Sequence, residues 1–392
     1  MTKPTKYNIV ILGVSYLDGM ASSMRVRNLF EPLLRNDDIQ LSNLIYQGDA
    51  FEIKNKKGCI GQVEYSVIGI NLKNPFSLFL FWLKGVDFIR RSKSRKYKNI
   101  LYNYEYIDIK NIIFLLYARI IGYKIVLDIV EDNRFCNKFP NILNKFKIAS
   151  SVYFLKLIPF LADSVLAISY HLYDLMNIVC KGKVPVVLIP VTVNFARFKK
   201  KEYSIPSRFK IFYGGSFGEK DGLYYLIQAF SNLYKRFKNV ELVFTGRASG
   251  ADFEKIMRYI EESGVKERIV LMGFLETEKY YRTLNGCDIF CVTRVNSEFA
   301  NAGFPFKLGE FLASGKAVIC TNVGDVTKYL THGRNSLIVK PNSIESLTKS
   351  LIYLLENPER IDVLGREGRK VAEQNFDTLA LSQKLKDVFN SI

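Results

Sequence analysis

Two successive series of short apolar runs, separated by stretches of helical periodicity, limit what this chain can fold into. Runs of this length, rich in Val, Ile and Leu and bounded by glycine, proline or polar clusters, read as buried parallel strands. Their alternation with helices requires an α/β architecture. The first series places strands at 8–14, 40–46, 64–70, 100–106, 124–130, 164–169 and 186–190. Helices such as 24–34 and 111–121 lie between them. The segment VTVNFARFKKKEYSIPSR, 191–208, is polar, basic and proline-marked, and reads as a linker. The pattern then restarts, with strands at 210–213, 241–245, 268–272, 289–293, 317–321 and 336–339. Helices follow at 222–237 and 252–263, and a long helical tail covers 343–392. A chain of 392 residues exceeds one ordinary core. Two Rossmann-like, doubly wound parallel-sheet domains facing across a cleft are expected, with ligands beyond the carboxyl ends of the strands.

Composition narrows the class. Hydrophobic content of 48% and charged content of 24% fit a soluble globular protein. The six cysteines form no C-x-x-C pair and no Cys/His cluster, so neither a disulfide framework nor a zinc site is indicated, and reduced cytosolic thiols are expected. The opening run 8–14 reads as a strand, not a secretory leader. No uninterrupted apolar run reaches the ~18 residues a membrane span needs. The expected location is cytoplasmic, with peripheral contact at the inner face of the plasma membrane as an option. The net charge is +18, with a dense cluster of Lys84, Arg90, Arg91, Lys93, Arg95, Lys96 and Lys98 around a single acid, Asp87. Such a surface suits anionic lipid headgroups, nucleic acid or a phosphate-bearing substrate, or is a solvated basic face. The stretch 75–96 is aromatic first and basic last. It reads either as a helix at an anionic membrane surface anchored by Trp82, or as a core helix followed by a solvated turn.

The stretch NAGFPFKLGEFLASGKAVICTNVGD, 301–325, is where chemistry concentrates. It reads as a loop with Gly303, a helix over 306–313 ended by Ser314-Gly315, a strand at 317–321 and a turn at Gly324. A glycine-bearing loop feeding a helix N-terminus is an anion site, and backbone N–H groups of Gly303 and Phe304 are candidates for phosphate contact. Glu310, one turn into the helix, can accept from both hydroxyls of a ribose diol. Arg294 at a strand's carboxyl end and Lys307 at the helix start are candidate phosphate cations. Gly214, Gly215 and Gly218 read as a glycine-rich loop before the helix at 222–237.

In order, ADSVLAIS (162–169), IPVTVNFARF (189–198), YGGSFGEKDGLYYLIQAF (213–230), VFTGRASG, VLMGFLETEKYYRTLNGCDIFCVTR and the 301–325 stretch resemble landmarks of the GT-B-fold glycosyltransferases, and among them glycosyltransferase family 4. The likeness covers most of the second half and less of the first. It implies an acceptor-binding domain at 1–193, a nucleotide-sugar domain at 194–373, and a C-terminal helix at about 374–392 packing back on the first domain. It also implies a retaining, hexosyltransferase-type enzyme of bacterial surface polysaccharide biosynthesis. A UDP- or GDP-type sugar would be the donor, and a glycan or polyprenyl-linked molecule the acceptor.

The resemblance assigns Glu310 to the ribose and Gly273 and Phe274 to backbone contact with the base. It departs at Ala302, where the family's first acid of E-x7-E sits; Glu298 lies four residues earlier. It departs again at Ser216 and Asp221, which replace an arginine and a lysine, with Lys220 one residue early. Lys220, Arg247, Arg294 and Lys307 are the cations left to neutralise a diphosphate. In the first half, Gly19 and Arg25, in or beside the first loop, and Glu105, at a strand end, are candidate contacts to the acceptor or a substrate phosphate. Glu131 and Asp132 follow another strand, where the family carries a histidine or acid that touches the transferred sugar; with Lys307 they are the catalytic candidates, in contact with acceptor or donor, and neither His171 nor His332 falls there. Ser22 or Ser23 is the expected cap of the first helix. No strand ends in D-x-D, so no metal is expected, and cationic side chains with helix dipoles would do the neutralisation. Two other classes remain open. One is a different GT-B nucleotide-sugar enzyme, such as a 2-epimerase. The other is a non-enzymatic module binding nucleotide sugar or nucleic acid, although no specific nucleic-acid partner is expected. An NAD enzyme is disfavoured, since no G-x-G-x-x-G opens the first strand–helix turn.

Overall fold

The computed structural model describes residues 7–17, 21–35, 39–47, 55–71, 74–135, 142–198, 204–247 and 250–392. They form two compact units, Met1–Pro190 with Thr378–Ile392, and Val191–Asp377.

The first unit holds strands β1 (Tyr7–Leu12), β2 (Ile39–Gln47), β3 (Lys57–Ile60), β4 (Val63–Gly69), β5 (Lys98–Tyr104), β6 (Lys124–Ile129), β7 (Ser164–Ala167) and β8 (Val186–Leu188). Its helices are α1 (Ala21–Leu34), α2 (Pro75–Arg91), α3 (Ile112–Ile120), α4 (Ile142–Tyr153), α5 (Ile158–Leu161) and α6 (Tyr170–Cys180). The strand order is β3-β4-β2-β1-β5-β6-β7-β8, parallel except for β3. The apolar runs are continuous because helices cover both faces of the sheet, and every residue of β1 and β7 is buried. The edge strand β3 was not anticipated. KGCI is short and half exposed, so it lacks the buried apolar signature that identifies the others. Helix α1 starts at Ala21, so Ser22 and Ser23 lie inside its first turn and neither is its cap.

The second unit holds β9 (Phe209–Ser216), β10 (Val240–Arg247), β11 (Ile269–Leu271), β12 (Ile289–Val292), β13 (Ala317–Thr321) and β14 (Leu337–Val339). Its helices are α7 (Leu223–Arg236), α8 (Ala251–Glu262), α9 (Thr277–Asn285), α10 (Glu298–Ala302), α11 (Phe306–Ala313), α12 (Val326–Tyr329), α13 (Ile344–Glu356) and α14 (Glu359–Asn375). The order β11-β10-β9-β12-β13-β14 is parallel throughout. The expected glycine loop begins later than its composition suggests. Gly214 and Gly215 are strand residues paired with Thr245 and Gly246, and the chain leaves the sheet only after Ser216. Gly246 is required there. Its φ is +149, and a Cβ would lie 1.8 Å from the Gly215 carbonyl oxygen. The helical tail is three helices, broken at Asn357-Pro358 and again before α15 (Thr378–Ser391), which packs on α1 in the first unit.

Candidate active site

In the second sheet the strand order reverses between β9 and β12, and ligands of such sheets bind beyond the carboxyl ends at that point. The turn after β9 is pinned to the loop after β12. The Thr293 hydroxyl donates to the Asp221 carbonyl at 2.8 Å, and the Val295 N–H donates to the Lys220 carbonyl at 3.0 Å. Gly222 permits this approach. Its φ is +64, and a Cβ would sit 2.1 Å from the Thr293 carbonyl oxygen. Ser216, Lys220, Asp221 and Arg294 are thereby gathered at one place. Ser216 Oγ donates to Asp221 Oδ2 at 2.6 Å. Burial pushes the Asp221 carboxyl up, against the pull of Ser216, Arg294 and Lys220. Arg294 Nη1 donates to the Ala300 carbonyl at 3.3 Å, and Lys220 Nζ lies 4.9 Å from the centre of the Phe299 ring.

Glu310 lies in the second turn of α11 and is buried. Its carboxylate is held by three donors: Tyr281 Oη to Oε1 at 2.5 Å, Tyr280 Oη to Oε2 at 3.1 Å and Lys307 Nζ to Oε2 at 3.2 Å. Burial pushes its pKa up, but the Lys307 charge and the bonds from Tyr281, Lys307 and Tyr280 outweigh that, and the carboxyl is held below its ordinary value. It is a fixed carboxylate at neutral pH. A carboxylate offers about four lone-pair sites, so acceptor capacity remains beyond these three donors. Behind it, Arg197 Nη1 donates to Tyr281 Oη at 3.2 Å. The tyrosine pair was missed in the sequence. Its signal was there: two adjacent hydroxyl-bearing rings on α9 that, when buried, need a partner.

The loop before α11 is closed by Gly324. At φ +61 a Cβ would meet the Gly303 carbonyl at 2.9 Å, and the Gly324 N–H donates to Asn301 Oδ1 at 3.0 Å. Phe304 is a core ring packed on Tyr329 and Phe376, so only its backbone is available to a ligand. Ala302 is buried, while Glu298 is an exposed acid in the first turn of α10. The Gly273 carbonyl accepts the Gly246 N–H at 2.9 Å, and Phe274 is largely exposed beside it. Arg247 ends β10; its side chain lies outside the described residues.

The first unit corrects one expectation. Arg25 is buried and all its bonds point inward. Nε and Nη2 donate to Asp128 at 2.8 and 2.9 Å, Nη1 to the Pro190 carbonyl at 2.6 Å, and Nη2 to the Ile189 carbonyl at 2.8 Å. An arginine so enclosed does not meet a substrate phosphate. Glu105, at the end of β5, has φ +76, a left-handed conformation uncommon for glutamate, and it lies beside the point where this sheet's order reverses. Glu131 is half-buried after β6. Asp132 is buried beneath a pair of half-exposed groups. Its Oδ2 takes Arg134 Nη2 at 2.7 Å and lies 2.8 Å from His171 Nε2. Burial acts to raise its pKa, but the bonds from Arg134 and His171 leave it lowered. His171, remote in sequence, is thus brought to the strand end where no histidine was expected. Gly19 lies outside the described residues.

Residues 195–371 match the family described as Glycosyl transferases group 1. An uncharacterized glycosyltransferase of Methanocaldococcus jannaschii is 23% identical over 375 residues, 92% of this chain and 88% of that protein. A GDP-mannose-dependent alpha-(1-6)-phosphatidylinositol monomannoside mannosyltransferase of Mycobacterium tuberculosis is 26% identical over 161 residues, 40% of this chain and 41% of that protein. The fold matches sucrose-phosphate synthase from Thermosynechococcus elongatus with a TM-score of 0.76 at 16% identity, covering 98% of each chain. It matches Anabaena HepE in complex with UDP and glucose with a TM-score of 0.73 at 14% identity, covering 98% of this chain and 100% of that one. The fold is therefore that of the GT-B glycosyltransferases, and residues 195–371, within the second unit, carry a domain matching the glycosyl transferases group 1 family.

Proposed function

We propose that this is a retaining enzyme of glycosyltransferase family 4 that moves a hexose from a UDP- or GDP-sugar to a glycan or polyprenyl-linked acceptor in surface polysaccharide assembly. The observation that carries the reading is the fixed carboxylate of Glu310, ionised and buried inside the matched region. In this reading Glu310 accepts from the ribose hydroxyls, and backbone at Gly273 and Phe274 reads the base. Lys307, Arg294 and Lys220, with N–H groups of Gly215, Ser216, Gly303 and Phe304, stabilise the diphosphate as the bond to the anomeric carbon breaks. Glu105, Glu131 and Asp132 are the acceptor-side candidates, and Arg25 is withdrawn from that role. The leaving diphosphate, charge-neutralised by cations without a metal, takes the acceptor's proton. The Anabaena relative is described with UDP and glucose and the mycobacterial one as GDP-mannose-dependent, which supports a nucleoside-diphosphate sugar of either base. A polyprenyl-linked acceptor would place the enzyme at the cytoplasmic face of the plasma membrane.

The test is a thermal-shift screen of UDP and GDP sugars against the wild type and Glu310→Ala. One donor should raise the wild-type melting temperature, and the variant should lose the response. No response in the wild type, or an equal one in both, sinks the proposal. With the donor known, transfer in the presence of EDTA tests metal independence, and the anomeric configuration of the product tests retention.

A further inference from the structure

Right-handed crossovers place α1 on one face of the first sheet, because β2 lies to one side of β1. They place α2, α3, α5 and α6 on the opposite face, because β5 to β8 advance in the other direction. Those four helices form one continuous row, α2 against α3, α3 against α5 and α5 against α6. The outer side of such a row is ordinarily polar. Here it carries large apolar side chains. Phe76 (67% exposed), Phe79 and Leu83 share one side of α2 at spacings of three and four residues. Ile120 on α3, Phe160 on α5 and Ile178 on α6 are 81%, 65% and 71% exposed. Scattered apolar residues need no explanation, but a run of them across neighbouring helices marks an interaction surface.

Charge decides the occupant. Lys84, Arg90 and Arg91 are exposed on α2, and Lys93, Arg95 and Lys96 are exposed just beyond it. Asp87, the single acid among them, is paired to both Arg90 and Arg91. Lys183 lies 5.0 Å from the centre of the exposed Phe160 ring. Exposed aromatic and aliphatic groups bordered by unbalanced cations fit a surface whose apolar layer lies under anionic headgroups. No helix among the described residues is long and apolar enough to cross a membrane. Trp82, the anchor in one of the two readings of the stretch 75–96, does not take that role. It is half-buried and its Nε1 donates inward to the Lys110 carbonyl at 3.1 Å.

We propose that the outer side of the α2-α3-α5-α6 row docks on an anionic phospholipid bilayer, inserting Phe76 and Phe79 while the basic end of α2 lies against lipid phosphates. The claim is independent of the sugar donor, so the nucleotide thermal-shift assay run in parallel separates a failure here from a failure of the transferase reading. The experiment is co-sedimentation of the full chain with phosphatidylcholine vesicles, with and without phosphatidylglycerol, at low and high salt. The wild type should bind only the anionic vesicles and weaken with salt. Phe76→Ser/Phe79→Ser should lower partitioning by about tenfold or more with melting unchanged, since two exposed rings lose their apolar burial. Arg95→Glu/Lys96→Glu should lose binding at lower salt than the wild type does. The proposal is overturned if the wild type ignores anionic vesicles at low salt, or if the double serine variant binds as the wild type does. It is overturned equally if the face mediates self-association that the serine variant abolishes while vesicles are left unbound.

Discussion

Glu310 carries the donor reading, and its ionisation makes it testable apart from catalysis. Its pKa is held down in the folded chain, so the stability it supplies is present above the ordinary glutamate range and is lost as pH falls through the lowered value. Glu310→Gln removes the charge while keeping the shape. Denaturant unfolding at pH 7 should show a loss of about 1.5–3 kcal/mol, typical of hydrogen bonds to a charged group. The gap should narrow at pH 4; a gap independent of pH would mean the carboxylate charge is not what the tyrosines and Lys307 hold. Arg25 offers a second test at this scale. Its guanidinium is enclosed with Asp128, which Tyr102 Oη also meets at 2.5 Å. Arg25→Met should cost about 3–5 kcal/mol, because it leaves a buried carboxylate without its cation. Arg25→Met/Asp128→Leu should recover part of that, and a single-variant loss under 1 kcal/mol would refute the buried-pair account. Both sites show where sequence reading stops. Glu310 and Lys307 were legible because they are three residues apart on one helix. Tyr280 and Tyr281, about thirty residues upstream, and Asp128, about a hundred downstream of Arg25, are joined only by the packing of distant elements.

The elements were the most legible part of the chain, for a physical reason. Strands covered on both faces must be continuously apolar, and strands such as 317–321 and the helix at 306–313 keep their expected bounds. What the pattern lacked was the local register at the strand ends. Glycines read as loop in GGSFG belong partly to β9: Gly214 and Gly215 continue its ladder beside Thr245 and Gly246, where a Cβ on Gly246 would strike the Gly215 carbonyl. The phosphate-side arrangement therefore depends on how one turn docks on the next strand, and Gly222 is the hinge of that docking. Gly222→Ala combines left-handed strain with a collision against the Thr293 carbonyl. It should cost about 1–3 kcal/mol for the strain alone, with more for the clash and with loss of nucleotide response. Gly264→Ala is the matched control, since its φ is +69 with nothing within 4 Å of a Cβ. Equal denaturation midpoints for the two variants would show that the turn is not pinned as described.

The chain returns to its first unit after completing the second, and that return sets how the molecule melts. Helix α15 buries Leu381, Leu385, Val388 and Phe389. Phe389 packs with Phe30 and Tyr7, the Tyr7 hydroxyl bonds to Asn390, and Lys98 Nζ donates to the Phe389 carbonyl at 2.8 Å. Thr378 and Ser382 hydroxyls both donate to the Asn28 carbonyl on α1. At about 1.5–3 kcal/mol for each buried apolar side chain, four of them supply on the order of 6–12 kcal/mol. That is comparable to the whole stability of a typical domain, about 5–15 kcal/mol. A chain ending at Asp377 should therefore lose the folded first unit, although every strand of that unit is still encoded. The second unit, Val191–Asp377, keeps its own core, from Phe209 and Ile211 on β9 to Leu364 on α14. Calorimetry should show one of two transitions missing from the truncated chain. The surviving transition should still shift upward with the nucleotide that stabilises the full-length protein. If the truncated chain melts as the full chain does, α15 is a dispensable appendage. If it melts in one step with no nucleotide response, the second unit does not stand alone, and the group 1 domain needs its partner to hold a donor.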